Sequence, residues 1–101
     1  MLRQEKVSEV ETVLIVAGSL FGESGIEFEK GIESLAETSF PIVTLDLSMA
    51  LGITSAAIGK LLAVQKRLQG QNRKLRINGC SDVLLNIFHR IKLDTLIEIT
   101  K

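Results

Sequence analysis

The chain has 101 residues, the length of one domain, and 46% of them are hydrophobic, which excludes a disordered segment. With no Trp, no Tyr and only four Phe, its core has to be built from Ile, Leu and Val. Twelve basic and twelve acidic residues cancel, and no aromatic residues are interleaved with the basic ones, so a nucleic-acid partner is a poor fit.

Residues 3–10 are polar apart from Val7 and Val10 and read as a weak edge strand. Thr12-Val-Leu-Ile-Val-Ala17 is a continuous apolar, β-branched run, the pattern of a strand buried on both faces, and Gly18 ends it. Residues 19–23 form a loop containing Leu20 and Phe21. Ser24-Gly-Ile-Glu27 has the form of a capping box, with a helix to about Glu37 whose Phe28, Ile32 and Leu35 share one face. Pro41 closes the connection and Ile42-Val-Thr-Leu-Asp-Leu47 is the next strand.

A second helix starts near Ser55, with Ala57, Leu61, Val64 and Leu68 inward and Ile58 and Leu62 beside them. Gly70 is placed as its C-cap. Lys74-Leu-Arg-Ile-Asn78 alternates as a strand does. Gly79-Cys80-Ser81-Asp82 is a turn with a cap, Val83, Leu84, Ile87, Phe88 and Ile91 mark a third helix, and Thr95-Leu-Ile-Glu-Ile99 is a last strand. The order (β)β-α-β-α-β-α-β predicts an α/β fold: a four- to five-stranded, mixed but mostly parallel sheet with helices chiefly on one face. One domain is expected to span residues 1–101.

Charge is unevenly spread. Residues 1–59 hold three cations against nine carboxylates, net −6, and residues 60–101 hold the reverse, net +6. Opposite faces of opposite sign would steer a protein partner; two ordinary solvated helix faces would give the same count. The lone Cys80 excludes an internal disulfide and fits a reducing, cytoplasmic setting. The first residues have no apolar leader pattern, and the longest apolar run, Val13–Ala17, is far too short to cross a bilayer.

The stretch Leu45–Leu62 is the most telling. A strand passes through a short loop into Thr54-Ser55, where a helix begins. A hydroxyl there stands on the first helical turn, beside free N–H groups and the positive end of the dipole, which suits an anion. Thr54 or Ser55 acting simply as an N-cap is the plain alternative.

This stretch, with its surroundings, resembles the signature of the STAS family, the anti-sigma-factor-antagonist domains. Asp46-Leu47-Ser48 matches the end of the family's strand, and Ile53-Thr54-Ser55-Ala56-Ala57-Ile58-Gly59 occupies the place of its Asp-Ser-Ser-Gly motif. Gly18-Ser19-Leu20, Leu61-Leu62, Leu75-Arg-Ile-Asn-Gly79 and Ile91-Lys92-Leu93-Asp94 follow the family pattern, so the resemblance covers nearly the whole chain. It implies a STAS-like fold and a regulatory protein-binding module without enzymatic activity. Ser55 aligns with the serine that is phosphorylated in anti-sigma factor antagonists. Ser48, Thr54, Ser55, Ala56 and Ala57 would contact the partner, a serine-kinase anti-sigma factor in a partner-switching system. Thr54 stands where the family has Asp, and Ala56 and Ala57 where it has Ser and Gly. Some STAS subfamilies keep the fold as a docking module without a phosphorylated serine, among them a partner of the ATPase subunit of a lipid-transport ABC system, so docking to a transporter ATPase or signalling scaffold is the alternative.

No cofactor or metal is expected. Residues 18–25 lack the Gly-Lys-Ser/Thr ending of a phosphate loop, and Glu27, Glu29, Glu33 and Glu37 have no His or Asp beside them. His89, the only histidine, has no visible acid or nucleophile partner, so catalysis finds no constellation. Cys80, near a helix start, is either a thiol of lowered pKa or a small semi-buried residue.

Overall fold

The computed structural model describes residues 2–20 and 22–101; Phe21, placed by the sequence in a loop, lies outside the described residues. Five strands form one sheet in the order β1-β2-β3-β4-β5. They are β1 (Leu2–Lys6), β2 (Glu11–Gly18), β3 (Ile42–Ala50), β4 (Lys74–Asn78) and β5 (Glu98–Ile99). β1 runs antiparallel to β2, and every other pair is parallel. Three helices, α1 (Glu23–Ala36), α2 (Ser55–Gly70) and α3 (Asp82–Arg90), connect the parallel strands, and a 3-10 turn (Leu93–Thr95) leads into β5. The strands follow one another in sequence order, so right-handed crossovers put all three helices on the same face.

That face holds the core. Leu14 and Val16 of β2, Val43, Leu45 and Leu47 of β3, and Leu75 and Ile77 of β4 are buried under Phe28, Ile32 and Leu35 of α1, Leu61 and Leu68 of α2, and Leu84 and Phe88 of α3. The other face has no helix. β2 therefore alternates, with Val13 and Ile15 half-buried, instead of being buried on both sides as its unbroken apolar run predicts. Side chains of the sheet itself cover this second face. The Thr44 hydroxyl donates to Glu11 Oε2 at 2.6 Å, and Arg76 Nε pairs with Glu98 Oε2 at 2.6 Å.

Three local features depart from the sequence pattern, each for a physical reason. α1 starts at Glu23 with Gly22 as N-cap and no side-chain cap bond, so Ser24 lies inside the helix and the capping box does not form. Leu20 is drawn into the core, and Gly25 lets the first turn lie against its carbonyl, where an added Cβ would come within 2.7 Å of the oxygen. At the end of α2, Gly70 is still helical; Asn72 supplies the left-handed residue, φ 57°, which Asn tolerates. The last strand is only Glu98–Ile99, because residues 93–95 wind into the 3-10 turn that buries Leu93.

Arg73 fastens the two halves of the chain. Its Nη1 donates to the Ala36 carbonyl at 2.8 Å and its Nε to the Phe40 carbonyl at 2.8 Å, while Nη2 reaches the Thr38 hydroxyl at 3.2 Å. The last carbonyls of a helix lack intrahelical donors and carry the negative end of the dipole, and a planar guanidinium fork satisfies several together. Partial burial pulls the Arg73 pKa down from its usual value.

The acidic and basic segments are neighbours, not opposite faces. Acid-rich α1 packs beside base-rich α2, and Lys60 Nζ pairs with Glu33 Oε2 at 2.8 Å between them. The hydrogen bond from Lys60 holds Glu33 below the usual carboxylate range, and Glu33 holds Lys60 above the usual ammonium range. No helix among the described residues is long and apolar enough to cross a membrane.

Candidate functional site at the start of the second helix

Parallel strands deliver their C-terminal ends to one edge of the sheet, and the loops into α1, α2 and α3 gather there. β3 reaches this edge through an irregularity. Ile15 of β2 is level with Asp46, but Ala17 is level with Met49, so β3 spends one extra residue over that interval, as in a β-bulge. Within it, Asp46 Oδ1 accepts from the Ser48 amide at 3.0 Å and from the Ser48 hydroxyl at 2.7 Å. Gly79, with φ +74°, lies against this turn. A Cβ on it would meet Asp46 Oδ1 at 2.8 Å and the Ser48 amide nitrogen at 2.9 Å. The matching fragments Asp46-Leu47-Ser48 and Asn78-Gly79, far apart in sequence, are thus one packed unit.

Beyond it the chain turns outward. Met49 is 63% exposed and Leu51 78% exposed, although Leu51 N donates to the Gly18 carbonyl at 3.0 Å. Thr54, with extended backbone, is the N-cap of α2, and its Oγ1 accepts from the Ala57 amide at 3.1 Å. Ser55 is the first residue of the helix and is exposed; its hydroxyl has no hydrogen-bond partner among the described residues. Ala56 is exposed beside it.

The structure therefore brings Ser48, Thr54, Ser55 and Ala56 to one edge and separates Ala57 from them. Ala57 is fully buried against the sheet, at the head of the row Ala57, Leu61, Val64, Leu68. It offers no side chain to a partner; its smallness serves the packing of the first turn. Met49 and Leu51 lie within the 48–54 stretch that the resemblance puts at the partner surface, but the sequence does not single out their side chains as exposed. The apolar letters at 49–53 were the available signal, but β3 was expected to stop at Leu47, and only its extension to Ala50 lifts them onto the rim.

The chemistry open to this edge follows from its parts. The Thr54 hydroxyl is engaged as a cap, while the Ser55 hydroxyl is exposed at the positive end of a 16-residue helix. An added phosphate would carry about −1.5 to −2 charges into a position where a helix tolerates it. Thr54→Ala should remove only the cap, costing about 1 kcal/mol. Thermal unfolding is the measurement, and a midpoint lowered by roughly 4–8 °C is expected.

The other singled-out residues fall elsewhere. The His89 Nδ1 lies 2.9 Å from Asp94 Oδ2 across the turn that follows α3, an exposed structural pair. Cys80 is buried, and burial pushes its thiol up to about 11, the opposite of an activated thiolate. No group of His, Cys, Asp or Glu among the described residues is arranged to hold a metal ion.

The five-stranded mixed sheet with three helices on one face is the fold of the anti-sigma factor antagonists. The structure of an anti-sigma factor antagonist from Mycobacterium paratuberculosis superposes with a TM-score of 0.86 at 19% identity, covering 99% of this chain and 84% of that one. The Bacillus cell fate determinant SpoIIAA in its phosphorylated form gives 0.75 at 13% identity, over 100% and 92% of the two chains. The STAS domain of a SulP transporter from Vibrio cholerae gives 0.68 at 16% identity, over 96% and 77%. A family model described as "Mlab, STAS domain" matches residues 4–98, and the chain belongs to the STAS domain family. No curated protein matches it in sequence.

Proposed function

We propose that the chain is a regulatory, non-enzymatic protein-binding module of a single domain, acting in the cytoplasm as an anti-sigma factor antagonist does. It docks a serine-kinase anti-sigma factor through the loop 48–54 and the first turn of α2. The observation that carries this reading is Ser55. It is exposed at the first position of α2, with no internal hydrogen bond on its hydroxyl among the described residues and with Met49 at the end of β3 and Leu51 in the following loop both exposed. Phosphorylation there would leave the fold intact and place a dianion inside the contact, releasing the partner.

The test joins two measurements. The domain is incubated with a candidate kinase and ATP and its intact mass is taken, with the site mapped. A gain of one phosphate at Ser55 is expected, and none with an active kinase removes the switch. Ser55→Asp should weaken partner binding at least tenfold without shifting the unfolding midpoint. If this variant binds as tightly as the parent, the contact lies elsewhere.

Thr54 and Ala56 favour a second reading. Thr54 spends its hydroxyl on the cap at the place where the family's Asp stands, and Ala56 has no hydroxyl to modify. A docking subunit of a transporter ATPase or a signalling scaffold, never phosphorylated, would retain this surface. In that case Ser55→Asp disrupts binding but the kinase adds no mass.

A further inference from the structure

α3 is only half used by the fold. Leu84 and Phe88 enter the core and Ile87 packs half-buried against it, but Val83 and the capping residue Ile91, on the same flank, stay largely outside. Val83 is 68% exposed and Ile91 47%. The turn of a right-handed helix places this flank on the α2 side of the Leu84–Phe88 face. The opposite flank is accounted for, since Asp82 reaches out to Lys101 at 2.7 Å and His89 to Asp94.

α2 answers with its own apolar edge. Gln65 Nε2 donates to the Leu96 carbonyl at 3.1 Å, which fixes the side of α2 that faces the α3 region. Ile58 and Leu62 lie on that side, two turns and one turn before Gln65, Ile58 half-buried and Leu62 partly exposed. α1 and α2 pack closely, but α2 and α3 do not close on each other. Leu62, Val83 and Ile91 thus form an exposed apolar strip on the facing flanks of α2 and α3, with Leu96, 56% exposed, in the turn that follows.

The charges along it have one sign. α2 contains no carboxylate at all, and the single one on α3, Asp82, is held by Lys101 on the far flank. Lys66 on α2 and Arg90 on α3 have no ion-pair partner among the described residues. Exposed apolar side chains on the facing flanks of two helices, with unpaired cations on the same helices, match an amphipathic helix whose outer positions are acidic.

We propose that this strip is a second docking surface, which takes an acidic amphipathic helix of a protein partner. It rests on the reading of the chain as a protein-binding module and is separate from the Ser55 edge. It requires neither phosphorylation nor a kinase.

The probe is a fluorescein-labelled 18-residue designed peptide, helical, with Leu at i, i+3, i+4 and i+7 positions and Glu on the opposite face, read by fluorescence anisotropy against the full chain. Saturable binding is expected, weakened at least tenfold by Val83→Ser, by Leu62→Ser and by the double variant Lys66→Glu/Arg90→Glu. Ser55→Asp should leave it unchanged, so loss of the Ser55 reading and loss of this one are separable. The same peptide with Lys in place of Glu should bind at least tenfold more weakly. Circular dichroism of each variant checks that the helices are intact. No binding, equal binding of both peptides, or variants that bind like the parent would overturn the proposal. Sedimentation of the protein with anionic phosphatidylglycerol vesicles, lost in Val83→Ser, would assign the strip to a lipid surface instead. Dimers lost in the same variant would assign it to a second copy of this chain.

Discussion

Leu61→Ala is expected to lower the unfolding free energy by about 2–5 kcal/mol, within the range found for truncating a buried Leu. Leu61 is fully buried in the middle of α2, one turn from both Ala57 and Val64, and α2 crosses from β3 to β4 packed against β4 and α1. Its removal leaves a void that neither neighbour can fill, since Ala57 is too short and the branched Val64 is stiff at χ1. A domain of this size holds about 5–15 kcal/mol in all, so the loss should be plain in a urea titration as a lowered midpoint with an unchanged slope. A midpoint equal to the parent's would show that α2 does not carry the core.

Gly79→Ala should be nearly as damaging by a different route. At φ +74° a side chain is strained, by roughly 1–2 kcal/mol for an L-residue in the left-handed region. The new methyl would also meet the Ser48 amide nitrogen at 2.9 Å and Asp46 Oδ1 at 2.8 Å. The amide is backbone and cannot swing away, so β3 has to move. The prediction is a loss of at least about 2 kcal/mol, with the Ser48 amide resonance displaced as its bond to Asp46 breaks. Gly59→Ala is the matched control. A Cβ there meets nothing within 4 Å, and in an exposed helix interior it should stabilise by up to about 1 kcal/mol. If the two variants behave alike, the packing of Gly79 on the Asp46–Ser48 turn is not what the position requires.

Much of this molecule is legible in its letters. The alternation of strand and helix signals gives the order of elements, the mixed sheet and the side on which the helices lie, because parallel crossovers leave little freedom. The row Ala57, Leu61, Val64, Leu68 gives the inward face of α2, and Thr54 with the Ala57 amide gives its start. What misleads is local sufficiency. Ser24-Gly-Ile-Glu27 can cap a helix in isolation, but with Leu20 buried the helix begins two residues earlier, capped at Gly22. Val13 to Ala17 could serve a doubly covered strand, but nothing in its own residues says that only one helical layer exists. For Ala57 the two readings conflict: the family resemblance puts it at the partner surface, while its helical phase in the row with Leu61 sends it inward, and it is buried. In the site, Ser55 is readable because a helix start is a local event. Met49 and Leu51 are not, because their exposure depends on an irregular pairing between β2 and β3.

The Arg73 fork has a consequence for the order of assembly. The carbonyls it serves belong to residues 36 and 40, so this bond spans 37 positions of chain at its longer strong contact. While the chain is being made, the end of α1 and the turn into β3 are complete in sequence long before their donor exists. Water must serve those carbonyls until Arg73 arrives with the end of α2. The first βαβ unit therefore reaches its finished form only when the second is delivered, and a chain cut between α1 and β4 should leave its first half with a frayed helix end. Locking early structure with a late residue couples the halves into one cooperative unit.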